Sequence, residues 1–214
     1  MKGQTRRLVT PNMRCLTQTP YKYRSFHCGS CSAYCAVNCA GKSIVLIGMM
    51  GAGKSSVGRC LQQRTGLARF DTDELVAAKF QLPIPEIFAK HGEEKFRDAE
   101  TAALRELAPT QPAIIVTGGG VVLRDENIDF LKQLGLVVWL EASEKTLFER
   151  ASRREDRPLL QTENPRARLA ELLQARAPLY AKAADIRVDT TRLTHDEVAD
   201  FVLSEVERRS LTVK

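Results

Sequence analysis

The apolar run SIVLI at residues 43–47 leads directly into GMMGAGKSS at 48–56, and this junction constrains the chain more than any other stretch. Gly48, Gly53, Lys54 and Ser55 fill the pattern Gly-x-x-x-x-Gly-Lys-Ser, with Gly51 a third glycine inside it. Glycine is required where a ligand passes so near the backbone that side chains are excluded. In this pattern, the P-loop, successive main-chain N–H groups wrap an anion, and the N-terminus of the next helix adds partial positive charge. Lys54 would reach the β and γ phosphates of a nucleotide, and the Ser55 hydroxyl would ligate Mg2+. The loop needs a strand before it and a helix after it. It leaves open which group accepts the phosphoryl.

Strand and helix signals alternate along the rest of the chain. Five short runs, SIVLIG (43–48), ARFD (68–71), AIIVTG (113–118), LVVWLE (136–141) and DIRVD (185–189), are each followed by a longer stretch of helical period. Continuous apolar runs imply strands buried on both faces. Between them, VGRCLQQRT, EKFRDAETAALREL, NIDFLKQL, EKTLFERASRR, RARLAELLQARAPLYAKA and HDEVADFVLSEVERR space Leu, Val, Phe and Ala three or four apart, as helices covering a parallel sheet do. Thr65-Gly66 ends the first helix, Pro109 and Pro112 precede the third strand, and Ser143 caps the helix after LVVWLE. The fold class is α/β, with ligands expected at the carboxyl ends of the strands. Residues 152–165, SRREDRPLLQTENP, lack helical period and are expected to form a mobile loop.

Charge separates the first 42 residues from the remainder. The chain of 214 residues carries a formal net charge of +6, yet residues 1–42 hold seven Lys or Arg and no acid, which leaves residues 43–214 at −1. The basic excess therefore belongs to an extension and gives no sign of nucleic-acid binding by the domain, whose 6% aromatic content is also too low for base-stacking platforms. No apolar stretch approaches the roughly 20 residues of a membrane span. The extension holds Cys15, Cys28, Cys31, Cys35 and Cys39. Four thiolates can complete a tetrahedral metal site, but these spacings match neither the usual zinc pairing nor the common ferredoxin run. An acid-free segment rich in Arg, Ser and Thr also resembles an organelle transit peptide. The plainest expectation is that the extension is disordered, or an upstream start that the domain does not need, and that Cys60 is a buried small apolar residue in the first helix.

Further candidates flank the predicted strand ends. FDTDE places Asp71 and Asp73 just past the second strand, where alternate residues of an extended or turning segment share a face. One could organise Mg2+ and its waters and the other accept a hydroxyl proton; either could instead cap the helix that follows. Arg97 and Glu100 lie three apart in a predicted helix and can pair. Gly118, Gly119 and Gly120 permit close backbone approach to a small ligand, or form a plain turn. Arg157 lies in the expected loop, where closure could bring its guanidinium to a transferring phosphoryl group, and Arg176 sits near the end of a long helix. Taken singly, both arginines could be solvated surface charges. His27, His91 and His195 are too scattered for a zinc triad, and Trp139 reads as core.

In order, GMMGAGKSSVG, FDTDE, FRDAE, TGGGVV, RPLL and RAPLY make residues 43–205 resemble the shikimate kinase family. The resemblance implies a P-loop, nucleoside-monophosphate-kinase-like three-layer sandwich, with a five-stranded parallel sheet in order 2-3-1-4-5 flanked by helices. It places a domain at 43–214, a substrate-binding region near 72–105 and a lid near 152–165. The implied reaction moves the ATP γ-phosphoryl to the 3-hydroxyl of shikimate in aromatic amino-acid synthesis, with Mg2+ as cofactor, in a monomeric cytoplasmic enzyme or, if residues 1–42 are a transit peptide, an organellar one. Gly51, Ala52, Gly53, Lys54, Ser55 and Ser56 would hold the phosphates, and Asp71 would order the metal through water. Asp73 would contact the acceptor hydroxyls as candidate base, Arg97 and Arg176 would grip the carboxylate, and Glu100 would hold Arg97. The backbone of Gly118, Gly119 and Gly120 would approach the substrate, Arg157 would be the lid arginine, and Arg150 would stack on adenine. The opposite adenine wall near Thr190–Thr194 departs from the family pattern, with His195 where proline is frequent. Two arginines suit an anionic acceptor, which a neutral-sugar kinase would not require. A gluconate or nucleoside-monophosphate kinase, or a silent nucleotide-binding relative, remains an alternative.

Overall fold

In the computed structural model the described residues are 42–107, 109–153 and 158–211. The cysteines within residues 1–41 and Arg157, singled out in the sequence, lie outside them. Five parallel strands, β1 (Ser43–Ile47), β2 (Ala68–Asp71), β3 (Ala113–Val116), β4 (Gly135–Glu141) and β5 (Ile186–Asp189), form one sheet in the order β2-β3-β1-β4-β5. Residue choice follows position in that order. Central β1 is buried at all five residues and β3 at all four, whereas edge strand β5 alternates buried Ile186 and Val188 with exposed Arg187 and Asp189.

The helices are α1 (Lys54–Thr65), α2 (Thr72–Phe80), α3 (Ile84–Glu106), α4 (Asp125–Leu134), α5 (Glu144–Ala151), α6 (Pro165–Ala183) and α7 (His195–Leu211). They cover both faces of the sheet. Ile44 and Leu46 of β1 enter a core with Leu61 of α1 and Val198 and Val202 of α7, while Val45 and Ile47 enter a second with Leu104, Leu131, Trp139 and Tyr180. A third, smaller cluster of Val76, Ile87, Phe96, Ala99 and Ala103 joins α2 to α3. The result is the three-layer α/β sandwich.

Capping chemistry sets several boundaries. Gly66, at φ 71°, closes α1 and donates its N–H to the Gln62 carbonyl, and the Ser143 hydroxyl accepts the Thr146 N–H at the start of α5. Several boundaries differ from the sequence reading. The first and third strands stop at Ile47 and Val116, because the following glycine-rich segments leave the extended conformation. α3 begins ten residues before the predicted EKFRDAETAALREL and is interrupted at Gly92, whose φ of 79° lies outside helical space. Cys60 is half-buried rather than buried as its apolar reading predicts, because it lies at the margin of α1 and not on the face packed on the sheet, and the burial it has pushes its thiol up.

Candidate active site

The P-loop is moulded by contacts that a side chain would forbid. A Cβ on Gly48, at φ 139°, would stand 2.2 Å from the Leu140 carbonyl oxygen at the end of β4. Gly53, at φ 95°, is the N-cap of α1, with the His195 ring lying against it. No side chain caps α1 and no acid occupies its first turn, so nothing local competes with an anion for its N-terminal N–H groups. Lys54 curls back over the loop, its Nζ donating to the Gly48 carbonyl at 2.7 Å and the Met49 carbonyl at 3.1 Å. Ser55 and Ser56 follow in the first turn.

Beyond this loop, Met50, Asp73, Ile84, Phe88, Phe96, Arg97, Gly118, Gly119, Gly120, Leu159 and Arg176 line an open cleft. Every acceptor residue expected from the sequence lies on its wall. Asp71 ends β2, where its carboxylate accepts the Asp73 N–H at 3.1 Å and so caps α2. Burial raises its carboxyl above the ordinary value, and the charges of Asp73 and Glu74 add to the effect. Asp73 lies one residue into α2 and faces the glycine run: a Cβ on Gly118 would stand 2.7 Å from Asp73 Oδ1 and 2.5 Å from Glu100 Oε1. The Gly118 N–H donates to the Thr72 hydroxyl at 3.1 Å, fastening the run to the start of α2.

The two arginines reach the cleft from different helices. Arg97 Nη1 donates to Glu100 Oε2 at 2.8 Å and Nη2 to Glu93 Oε1 at 3.0 Å, while the guanidinium packs flat where a Cβ on Gly120 would be. Burial pulls the Arg97 guanidinium down, but the two carboxylates outweigh it and keep it charged. Glu100 is fully buried, and burial raises its carboxyl against the opposing pull of Arg97. Its Oε1 has no hydrogen-bond partner among the described residues. Arg176 Nη1 donates to the Gly119 carbonyl at 3.2 Å, and burial, reinforced by the nearby Arg97 charge, lowers its guanidinium. Two buried cations facing one small cleft favour an anion between them.

On the other side of the P-loop, Arg150 donates to the Thr190 hydroxyl at 3.1 Å and to its carbonyl at 2.9 Å. The Thr190 hydroxyl, which donates to the Glu141 carbonyl at 2.9 Å, also lies 3.3 Å from the Ala52 carbonyl. Arg150 and His195 are thus brought to one flank of the phosphate loop. Four apolar cleft residues, Met50, Ile84, Phe88 and Leu159, escaped the sequence reading, as did Tyr180, whose hydroxyl donates to the Gly119 carbonyl. The spacing of Arg176 and Tyr180, one helical turn apart, was the available signal for the last.

The family model for shikimate kinase matches residues 50–207, about three quarters of the chain. The chain belongs to the shikimate kinase family. It is 48% identical over 169 residues to the shikimate kinase of Thermodesulfovibrio yellowstonii, covering 79% of this chain and 97% of that one. Identity to the shikimate kinase of Thioalkalivibrio sulfidiphilus is 49% over 150 residues, covering 70% and 79%. The solved shikimate kinase from Acinetobacter baumannii in complex with shikimate superposes with a TM-score of 0.76 at 38% identity, covering 81% of this chain and 96% of that one. This kinase is a phosphotransferase, and its sheet order is the one the family resemblance implied. Among the described residues no three His, Cys, Asp or Glu side chains gather as a metal cage. The oxygen donors of Ser55 and Asp71 suit a hard cation such as Mg2+ that takes its remaining ligands from phosphate and water. No described helix is long and apolar enough to cross a membrane.

Proposed function

We propose that this kinase transfers the γ-phosphoryl group of ATP to the 3-hydroxyl of shikimate, with the carboxylate of shikimate between Arg97 and Arg176. The observation that carries the reading is the pairing of two buried guanidiniums with the Asp73 carboxylate across one cleft that adjoins the P-loop. Arginine offers forked donors that match a carboxylate, and a short carboxylate such as Asp73 suits adjacent ring hydroxyls. Ile84, Phe88, Phe96 and Leu159 give the remaining wall an apolar character suited to a carbocycle.

In the proposed reaction the acceptor oxygen bonds to the γ-phosphorus while the bond to the β–γ bridging oxygen breaks, and ADP leaves. Asp73 takes the hydroxyl proton. Because such transition states are loose, most of the rate comes from alignment and charge stabilisation. Gly51, Ala52, Gly53, Lys54, Ser55 and Ser56 would hold the phosphates, and Arg150 would contact the base. Arg157 is assigned to the transferring group on its RPLL motif alone. Ser55 and Asp71 would hold Mg2+, which when bound neutralises phosphate charge. The domain proposed is 43–214, with residues 72–105 receiving the acceptor and 152–165 forming the lid. The reading includes a monomeric enzyme, and the use of ATP fits the cytoplasm.

The test is an acceptor screen with residues 42–214 and with the full chain, measuring ADP release with ATP, Mg2+ and, in turn, shikimate, gluconate and nucleoside monophosphates. Turnover with shikimate alone is expected; preference for either other acceptor would overturn the assignment.

A further inference from the structure

Gly118 to Val121 form a β-turn, closed by donation of the Val121 N–H to the Gly118 carbonyl at 3.3 Å. Gly120, at φ −102° and ψ 2°, occupies the third position of a type I turn. The central peptide of such a turn, here Gly119–Gly120, takes no part in the closing hydrogen bond. Rotating that peptide by about half a turn gives a type II turn, which demands positive φ at the third position. Glycine meets that demand without steric cost. With glycine at both central positions, local sterics admit either form.

Two donors from α6 make the choice. Arg176 Nη1 and the Tyr180 hydroxyl, one helical turn apart, both donate to the Gly119 carbonyl. Tyr180 is fully buried, its ring stacked with Trp139 at 5.8 Å between centroids and its hydroxyl 3.9 Å from the Met49 sulfur in the P-loop. A phenol held this way cannot follow the carbonyl if the peptide flips. In a trans peptide the N–H points opposite to the carbonyl.

We propose that Tyr180 is a positioning residue for the acceptor site: its hydroxyl locks the Gly119–Gly120 peptide with the carbonyl towards α6, so that the Gly120 N–H is presented to the acceptor. Arg176 also meets the acceptor directly, so its bond to the same carbonyl places the guanidinium and the turn in register. Tyr180 touches neither substrate. The inference rests on the assignment of the cleft to shikimate.

Tyr180→Phe keeps the ring and removes only the donor. Calorimetry on the full chain is expected to show shikimate bound roughly 3- to 10-fold more weakly, the range for one lost hydrogen bond, with ATP affinity within about twofold of the parent. Relaxation-dispersion NMR should show microsecond-to-millisecond exchange at the Gly120 amide in the variant and none in the parent. Equal weakening for both ligands, or unchanged shikimate affinity with a quiet Gly120 amide, would overturn the proposal. A parent protein that does not bind shikimate would overturn the acceptor assignment itself, an outcome separate from a parent that binds and a variant that binds equally well.

Discussion

Arg97 and Glu100 lie one turn apart on α3 and share a 2.8 Å ion pair in which the carboxylate is fully buried and the guanidinium nearly so. The pair lies against the glycine run of the cleft, and its stability is inseparable from the shape of that wall.

Replacing Glu100 by alanine would leave Arg97 buried with Glu93, about half exposed, as its remaining carboxylate. Breaking a buried pair on one side costs about 3 kcal/mol or more. Urea unfolding of Glu100→Ala is expected to show a loss of that order, together with weakened shikimate binding. Glu100→Gln keeps an acceptor for Arg97 and should lose less than half as much.

Arg176→Lys keeps the charge but not the fork. The shikimate KM is expected to rise at least about tenfold while kcat at saturation falls less, because the role proposed for the group is to hold a carboxylate remote from the reacting oxygen. Steady-state kinetics with varied shikimate checks this; a fall confined to kcat would remove Arg176 from the binding role.

Gly120→Ala would drive a methyl group to 2.3 Å from the Arg97 guanidinium carbon. Arg97 must move, at a cost of about 1–3 kcal/mol, and calorimetry should register at least a tenfold loss of shikimate affinity. Gly119→Ala meets its nearest atom at 3.4 Å and should be much milder.

Asp71→Asn separates stability from activity. Because the folded protein holds this carboxyl above its usual value, its contribution to stability is complete below about pH 3.8 and declines as pH rises through the raised folded value. Asparagine can still cap α2. Thermal unfolding across pH 4–7 should show a flatter profile for the variant and no loss near neutrality, while Mg2+-dependent turnover drops. Loss of stability at pH 7 would contradict the burial argument.

Lys54→Ala and Arg157→Ala are each expected to cost about 10³-fold in turnover, the scale set by cationic groups on a transferring phosphoryl. Coupled ADP release checks both.

Much of this architecture could be read from the chain. The P-loop glycines, the five strand runs and the i, i+3 pairing of Arg97 with Glu100 follow from local spacing, but the expected burial on both faces fails at the edge strands β2 and β5, which have a neighbour on one side only. Strand order does not, since it depends on which crossovers pack together at long range, and here it came from the family resemblance. The early part of α3 was missed because IPEIFAKHG opens on prolines and ends on Gly92. Met50, Ile84, Phe88 and Leu159 look like core residues in any linear reading, for an apolar side chain facing a cleft has no signature that separates it from one facing another helix. Asp71 shows the opposite difficulty: the side chain proposed for the metal is seen to cap α2, and no spacing rule distinguishes the two uses.

Because β1 lies at the centre of the sheet, its P-loop divides the molecule into two workshops. The β2–β3 side supplies Asp73, Arg97 and the glycine turn, and the β4–β5 side supplies Leu140 under Gly48, Arg150 and Thr190. A change of acceptor could therefore be engineered on one flank while the nucleotide flank is inherited whole. Arg176 crosses that divide from α6, so a graft of residues 72–105 alone would carry over an unwanted cation, and position 176 must be redesigned with it.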